Sequence, residues 1–135
     1  MSKVFVDSEF WVSLSDPQEV RHGRTIEMVK EFRVEESFLV TSNFVLDETF
    51  TIIRKRQGIY RVRKFQRLLA EFGNKLIPER VTVGDEEEAW KWFWYDWKDL
   101  SYTDCTSFAL MKRLKLTHAV TFDEHFEMAG FERVK

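Results

Sequence analysis

Four acidic residues, Asp7, Glu48, Asp104 and Asp123, stand at points in the chain where chemistry could sit. Asp7 follows the apolar run Val4-Phe5-Val6, and Asp123 follows Ala119-Val120-Thr121-Phe122. If those runs are strands of an open α/β sheet, both carboxylates land beyond strand carboxyl ends, where such folds bind ligands. Aspartate is also a common turn former after a strand, and for either residue alone that explanation serves equally well. Glu48 and Asp104 sharpen the reading. Glu48 has Phe44 four residues before it and Ile52 four after, so it shares a helical flank with apolar neighbours. Its neighbour Asp47 lies instead between Asn43 and Thr51, on the polar side. Asp104 has Phe108 at i+4 and Met111 at i+7, while Ser101-x-x-Asp104 also reads as a capping box whose acid suits the helix dipole. An acid on an apolar flank is costly without compensation, and four converging acids repel one another. A divalent cation is the simplest compensator, and oxygen ligands suit Mg²⁺ or Mn²⁺ where zinc would want His or Cys.

The elements that must position these acids are legible as alternating strands and helices. Val4-Phe5-Val6, Phe38-Leu39-Val40 and Ala119-Val120-Thr121-Phe122 read as buried strands, with a weaker strand over Leu76 to Val83 that Pro78 interrupts. Phe131 to Val134 adds a possible edge strand. Helices are expected over Gln18–Phe32, Phe44–Gln57, Ile59–Phe72, Glu86–Trp97 and Thr103–Leu116, with Gly58 as the break between the second and third. This pattern predicts one α/β domain over residues 1–135. Its central, mostly parallel sheet has four to five strands, with helices on both faces.

Composition narrows the classes. The chain has 135 residues, 44% hydrophobic and 16% aromatic, with ample apolar material to offset the entropy of folding. Its 21 Lys+Arg against 23 Asp+Glu leave a net charge of −2, which excludes a general nucleic-acid sponge. The single cysteine, Cys105, cannot form an internal disulfide, which points to a reducing, cytoplasmic setting. No apolar stretch approaches the roughly 20 residues of a membrane span, and Asp7 interrupts any signal-peptide core.

The segments around the four acids can be set side by side. They are Val4-Phe5-Val6-Asp7-Ser8, then Leu39-Val40-Thr41-Ser42-Asn43-Phe44-Val45-Leu46-Asp47-Glu48, then Leu100-Ser101-Tyr102-Thr103-Asp104-Cys105-Thr106-Ser107-Phe108, and last Ala119-Val120-Thr121-Phe122-Asp123-Glu124-His125-Phe126 with Ala129-Gly130-Phe131 after it. In this order and at these separations the whole chain resembles the PIN-domain nucleases, and among them the VapC-type toxins of toxin–antitoxin pairs. The resemblance implies a Mg²⁺- or Mn²⁺-dependent endoribonuclease whose catalytic and metal-binding quartet is Asp7, Glu48, Asp104 and Asp123. It implies cleavage that leaves a 5′-phosphate and a 3′-hydroxyl, and a cognate antitoxin as protein partner. Ser8 and Ser42 match hydroxyl positions that hold the carboxylates or the metal's water. Thr103 is better explained as helix entry, and Asp99 as a solvated loop residue. Two other readings stay open: a PIN nuclease of RNA processing without an antitoxin, and a silent PIN-like binding module, against which the complete quartet argues.

Substrate and partner surfaces complete the expectation. The segment from Arg54 to Arg67 carries seven basic residues and no acid, and starts within two turns of Glu48. Arg54, Lys55, Arg61, Arg63 and Lys64 are therefore expected to contact RNA phosphates, with Arg21 and Arg24 as weaker candidates. His22, His118 and His125 show no paired ligand spacing, although His125 is near enough to Asp123 to touch substrate. Cys105 has no evident base and reads as core. In the aromatic stretch, Trp90, Phe93, Trp94 and Trp97 share one helical face and are expected in the core. Trp92 and Tyr95 would then face outward, toward a homodimer partner or an antitoxin.

Overall fold

Short runs of branched and aromatic residues with little polar alternation need burial on both faces, and the fold provides it. A computed structural model of the chain describes residues 2–135. Among these residues five strands form one sheet: β1 (Lys3–Val6), β2 (Phe38–Ser42), β3 (Leu76–Glu79), β4 (His118–Val120) and β5 (Glu132–Val134). The spatial order is β3-β2-β1-β4-β5, and every pairing is parallel. Central strand β1 sets Val4 against Leu39 of β2 and Phe5 against Ala119 of β4.

Seven helices connect the strands among the described residues. They are α1 (Ser8–Ser15), α2 (His22–Val34), α3 (Asn43–Gln57), α4 (Ile59–Glu71), α5 (Val83–Phe93), α6 (Tyr102–Arg113) and α7 (His125–Met128). The chain moves from β1 through β2 to β3 in one direction, then crosses to β4 and β5 on the other side of β1. Right-handed crossovers then put α1 to α4 on one face of the sheet and α5 to α7 on the other. Two aromatic layers follow this division. Trp11 packs edge-on against Phe10, Phe65 and Phe72 on the first face. Phe108 contacts Trp92, Phe126 and Phe131 on the second. The order reverses between β1 and β4, so the crevice beyond their carboxyl ends is the topological switch point of the sheet.

Local chemistry sets several boundaries differently from the pattern. Strand β3 runs through Pro78, which its edge position tolerates, and stops at Glu79 opposite Ser42, where β2 ends. Beyond it, Asn43 Oδ1 accepts from the Val81 backbone at 2.7 Å. Strand β4 ends at Val120, one turn short of Asp123, and the Thr121 side chain is engaged elsewhere. Gly58 has φ 91°, a left-handed value open to glycine, and separates α3 from α4 as expected.

The aromatic stretch departs from the expectation at Trp90, Trp92 and Trp94. Helix α5 starts at Val83, where Thr82 and Asp85 form a capping box, and ends at Phe93 rather than Trp97. Buried Asp85 and Ala89 define its inner stripe, and Trp92 continues it onto the Phe108 ring at 5.6 Å. Trp90 and Trp94 are instead 43% and 78% exposed. Within the helix the inner stripe runs through Asp85, held by Arg113 of α6, which leaves Trp90 outside, and past Phe93 helical spacing no longer places Trp94. Phe93 and Trp97 are partly buried against the core, and Tyr95 is exposed.

Candidate active site

The switch point gathers the acids through hydrogen bonds that span most of the chain. Asp7 is the first residue beyond β1; its backbone N–H donates to Val120 of β4 at 3.0 Å. Asp7 caps α1, with Oδ1 accepting from the Ser8 N–H at 2.8 Å. Its Oδ2 accepts from the Thr121 hydroxyl at 2.9 Å, and the Thr121 Oγ1 in turn accepts from the Asp123 N–H at 3.0 Å. One threonine therefore links the carboxylate after β1 to the loop after β4. Glu48, one and a half turns into α3, accepts at Oε1 from the Ser8 hydroxyl at 2.7 Å. Asp104 sits in the first turn of α6, reached from the other face, in a capping box with Ser101. Asp123 Oδ1 accepts from the His125 N–H at 2.9 Å, starting α7.

Burial and crowding set the charge state of this cluster. Asp7 is 4% exposed. Burial pushes its carboxyl up to about 7; the Ser8 N–H and Thr121 hydroxyl pull downward, and the charges of Glu48 and Asp123 add to the rise. Burial likewise pushes Asp104 up to about 8, helped by the neighbouring charges of Asp7 and Asp123. No Lys or Arg bonds to any of the four acids among the described residues. Donor atoms of Asp104, Asp123 and His125 all lie within 4.8 Å of one another. Buried carboxyls that resist ionisation, together with donor atoms this close, fit a divalent cation. Asp7 flanks this group, and Ser8 ties Glu48 to it, donating its hydroxyl to Glu48 and its N–H to Asp7.

The remaining expected residues divide. Ser8 holds Glu48, whereas Ser42 accepts from the Val45 N–H at 3.1 Å, caps α3 and touches no carboxylate. Thr103 lies in the first turn of α6, just after Tyr102 opens it, and its carbonyl accepts from Thr106 and Ser107. Cys105 is buried, and burial pushes its thiol up to about 12, so it is no nucleophile. Arg54, Lys55, Arg63 and Lys64 are exposed and Arg61 is half-buried. They lie farther from the acids than chain proximity suggests. Gln57, at the end of α3, bonds to Val12 and Ser15 at the far end of α1. That helix has eight residues, so about 12 Å separates this end from Asp7.

Thr121 and Lys98 lie beside the acids without having stood out in the sequence as site residues, and Arg21, a weaker candidate there, lies beside them too. A hollow of about 440 Å³ beside Asp123 is bounded by Arg21, Lys98, Phe122 and His125 and by the acids Glu9, Asp99 and Glu124. The Arg21 guanidinium sits 4.4 Å above the Phe122 ring, whereas Arg24 is engaged by Glu27, Glu31 and the Lys135 carbonyl. A hydroxyl two residues before Asp123 was the available signal for Thr121; nothing local marks Lys98.

Comparison with known proteins agrees with this geometry. The 23S rRNA-specific endonuclease VapC20 of Mycobacterium tuberculosis is 33% identical over 133 residues, covering 98% of both chains. The crystal structure of VapC20, described as a sarcin-ricin loop cleaving toxin, matches with a TM-score of 0.82 at 32% identity, over 97% of this chain and 98% of that one. FitAcB from Neisseria gonorrhoeae matches with a TM-score of 0.66 at 15% identity, over 100% of this chain and 97% of that one. VapBC2 from Rickettsia felis, bound to a DNA fragment from its promoter, gives 0.65 at 12% identity, over 99% and 98%. These last two show a shared fold alone. The PIN domain model spans residues 4–132, both strands of the switch point and all four acids, and the chain belongs to the PIN-domain family.

Proposed function

We propose that the protein is a metal-dependent endoribonuclease that hydrolyses RNA phosphodiester bonds and serves as the toxin of a toxin–antitoxin pair. The convergence of Asp7, Glu48, Asp104 and Asp123 at the switch point carries this reading, in a chain related end to end to an rRNA endonuclease. Asp7, Asp104 and Asp123 would hold Mg²⁺ or Mn²⁺, with Glu48 at its edge. A bound cation supplies an acidified water and neutralises phosphate charge. Ser8 holds one oxygen of Glu48 and leaves the other free to take a proton from attacking water. Thr121 keeps the Asp7 and Asp123 segments in register. Ser42 supports the site only indirectly, by starting the helix that carries Glu48.

RNA approaches an acidic centre only if cations line its path. Arg21 and Lys98 flank the acids directly, and Arg54, Lys55, Arg61, Arg63 and Lys64 extend the path along α3 and α4. An antitoxin would silence the site by placing an Arg or Lys among the carboxylates. The exposed Trp90, Trp94 and Tyr95 offer apolar area for that partner or for a second copy of the chain in a homodimer. No helix among the described residues is long and apolar enough to cross a membrane, which accords with a cytoplasmic setting.

The test is RNA cleavage by purified protein with and without chelator. Cleavage should require Mg²⁺ or Mn²⁺ and stop in excess EDTA. Robust cleavage by the chelated protein would overturn the metal-dependent reading.

A further inference from the structure

His125 is the one non-acidic member of the donor cluster, and its surroundings orient it as a metal ligand is oriented. The side chain is nine-tenths buried. Its ring lies nearly parallel to that of Trp97, with an interplanar angle of 4° and centroids 6.3 Å apart. Nε2 lies 2.8 Å from the Lys98 carbonyl oxygen. A carbonyl only accepts, so Nε2 carries the hydrogen and donates it. Nδ1 is then the nitrogen turned toward the acids, 2.8 Å from Asp123 Oδ1 and 3.9 Å from Asp104 Oδ2. Nδ1 is also 3.1 Å from Asp123 Oδ2, and a backbone carbonyl that accepts from the other ring nitrogen is the usual outer support of a metal-binding histidine.

The backbone that supplies this carbonyl is itself specified. The Leu100 N–H donates to Trp97 O, closing a four-residue turn, and Asp99 at its third position has φ 61°. Lys98 is not among the positive-φ residues, so the turn is of type II, in which the central peptide is flipped relative to type I. That central peptide carries the Lys98 carbonyl. Asp99, near the acids in sequence, thus acts through its backbone conformation, which aspartate tolerates better than most residues.

We infer that His125 Nδ1 is a ligand of the divalent cation, so that the centre favours a transition-metal dication such as Mn²⁺ over Mg²⁺. This rests on the metal-dependent reading above and extends it to a mixed oxygen–nitrogen donor set. Carboxylate oxygens suit Mg²⁺ and Mn²⁺ alike, whereas an imidazole nitrogen is a transition-metal ligand that oxygen-seeking Mg²⁺ takes poorly, so one nitrogen donor shifts the preference away from Mg²⁺.

The test uses the purified full chain loaded with Mn²⁺ alone. Pulsed electron paramagnetic resonance should show a directly coordinated ¹⁴N, and His125→Asn, which sets an amide near the place of Nδ1, should remove it. Competition titration should give a Mn²⁺-to-Mg²⁺ affinity ratio about tenfold lower in His125→Asn than in the parent chain, the scale of loss seen for support of metal ligands. Bound Mn²⁺ without nitrogen coupling in the parent chain would overturn the inference, leaving His125 as a partner of Asp123, and would leave the metal-dependent reading intact. Failure of the parent chain to bind either ion would overturn both. The parent spectrum decides the matter even if the variant does not fold.

Discussion

Two consecutive helices open with the same device and put it to opposite uses. Helices α5 and α6 each begin with a hydroxyl residue and an aspartate three positions later, Thr82 with Asp85 and Ser101 with Asp104, and both form capping boxes. Both aspartates are buried, at 2% and 8% exposure. Asp85 meets a cation: Arg113 of α6 reaches it through Nε and Nη2, each at 2.9 Å. Burial opposes its ionisation, but Arg113 and the Thr82 N–H outweigh that and hold the carboxyl below its ordinary value. Asp104 meets other acids, and its carboxyl is pushed up to about 8, by burial first and by Asp7 and Asp123 after it. A buried acid with its own arginine is a fastener between helices. A buried acid whose neighbours are acids is an unfinished site, completed by a proton or by a metal ion.

The largest expected effect separates these roles. Asp104→Asn should lower RNA cleavage at least 100-fold, or roughly 3 kcal/mol of barrier. Without metal it should change stability near pH 7 by less than ~1 kcal/mol, because a neutral amide replaces a carboxyl that is mostly protonated there. Single-turnover cleavage and urea denaturation measure the two quantities. Retained cleavage with lost stability would make Asp104 a cap like its counterpart.

Asp85→Asn should do the reverse. Removing one partner of a buried ion pair costs about 3–5 kcal/mol. Arg113 is 39% exposed and rehydrates in part, so a loss nearer ~2 kcal/mol is expected. Cleavage per folded molecule should not change, as titration against active-site concentration would show.

The pH dependence of metal-free stability sharpens the contrast, because the signs differ. Asp7 and Asp104 keep their protons to about 7 and about 8 when folded, whereas the unfolded chain releases them near pH 4. Stability should therefore fall as pH rises from about 4 to 8, by at most ~1.4 kcal/mol per pH unit for each proton retained. For Asp85 the carboxyl is lowered on folding, so its contribution is present above its unfolded value and is lost as pH falls through the folded one. Thermal melts across pH 3–9 should show both slopes in the parent chain. Asp104→Asn should flatten only the upper one, and Asp85→Asn only the lower.

The smallest effect concerns the hydroxyl that takes the place of an arginine at the acid site. Thr121→Val keeps the shape but removes the donor to Asp7 and the acceptor for the Asp123 N–H. A stability loss of about 1 kcal/mol is expected, with a few-fold weaker Mn²⁺ affinity by calorimetry. An unchanged affinity would mean that Asp7 needs no support from β4.

The sequence alone determined the alternation of strands and helices, the placement of Asp7 and Asp123 after strands, and the inward flanks of Glu48 and Asp104. These are matters of period and neighbour type, carried within a few residues, and the structure keeps them. Tertiary structure decided which strand ends meet. Thr121 bonds to Asp7 across 114 positions, and no local pattern encodes such a contact. It also decided the outward turn of Trp90 and Trp94, because the inner stripe of α5 was chosen by Asp85, whose partner Arg113 lies on another helix. The basic segment looked adjacent to Glu48 along the chain, but α3 leads it toward the far end of α1. His125 had no partner at ligand spacing in sequence. Its place among the acids depends on a ring packed on Trp97 and a carbonyl from the turn at Asp99, and on the α6 start that brings Asp104 near. Side-chain chemistry was written residue by residue; the distances that let those residues act together came from packing two helical layers on one twisted sheet.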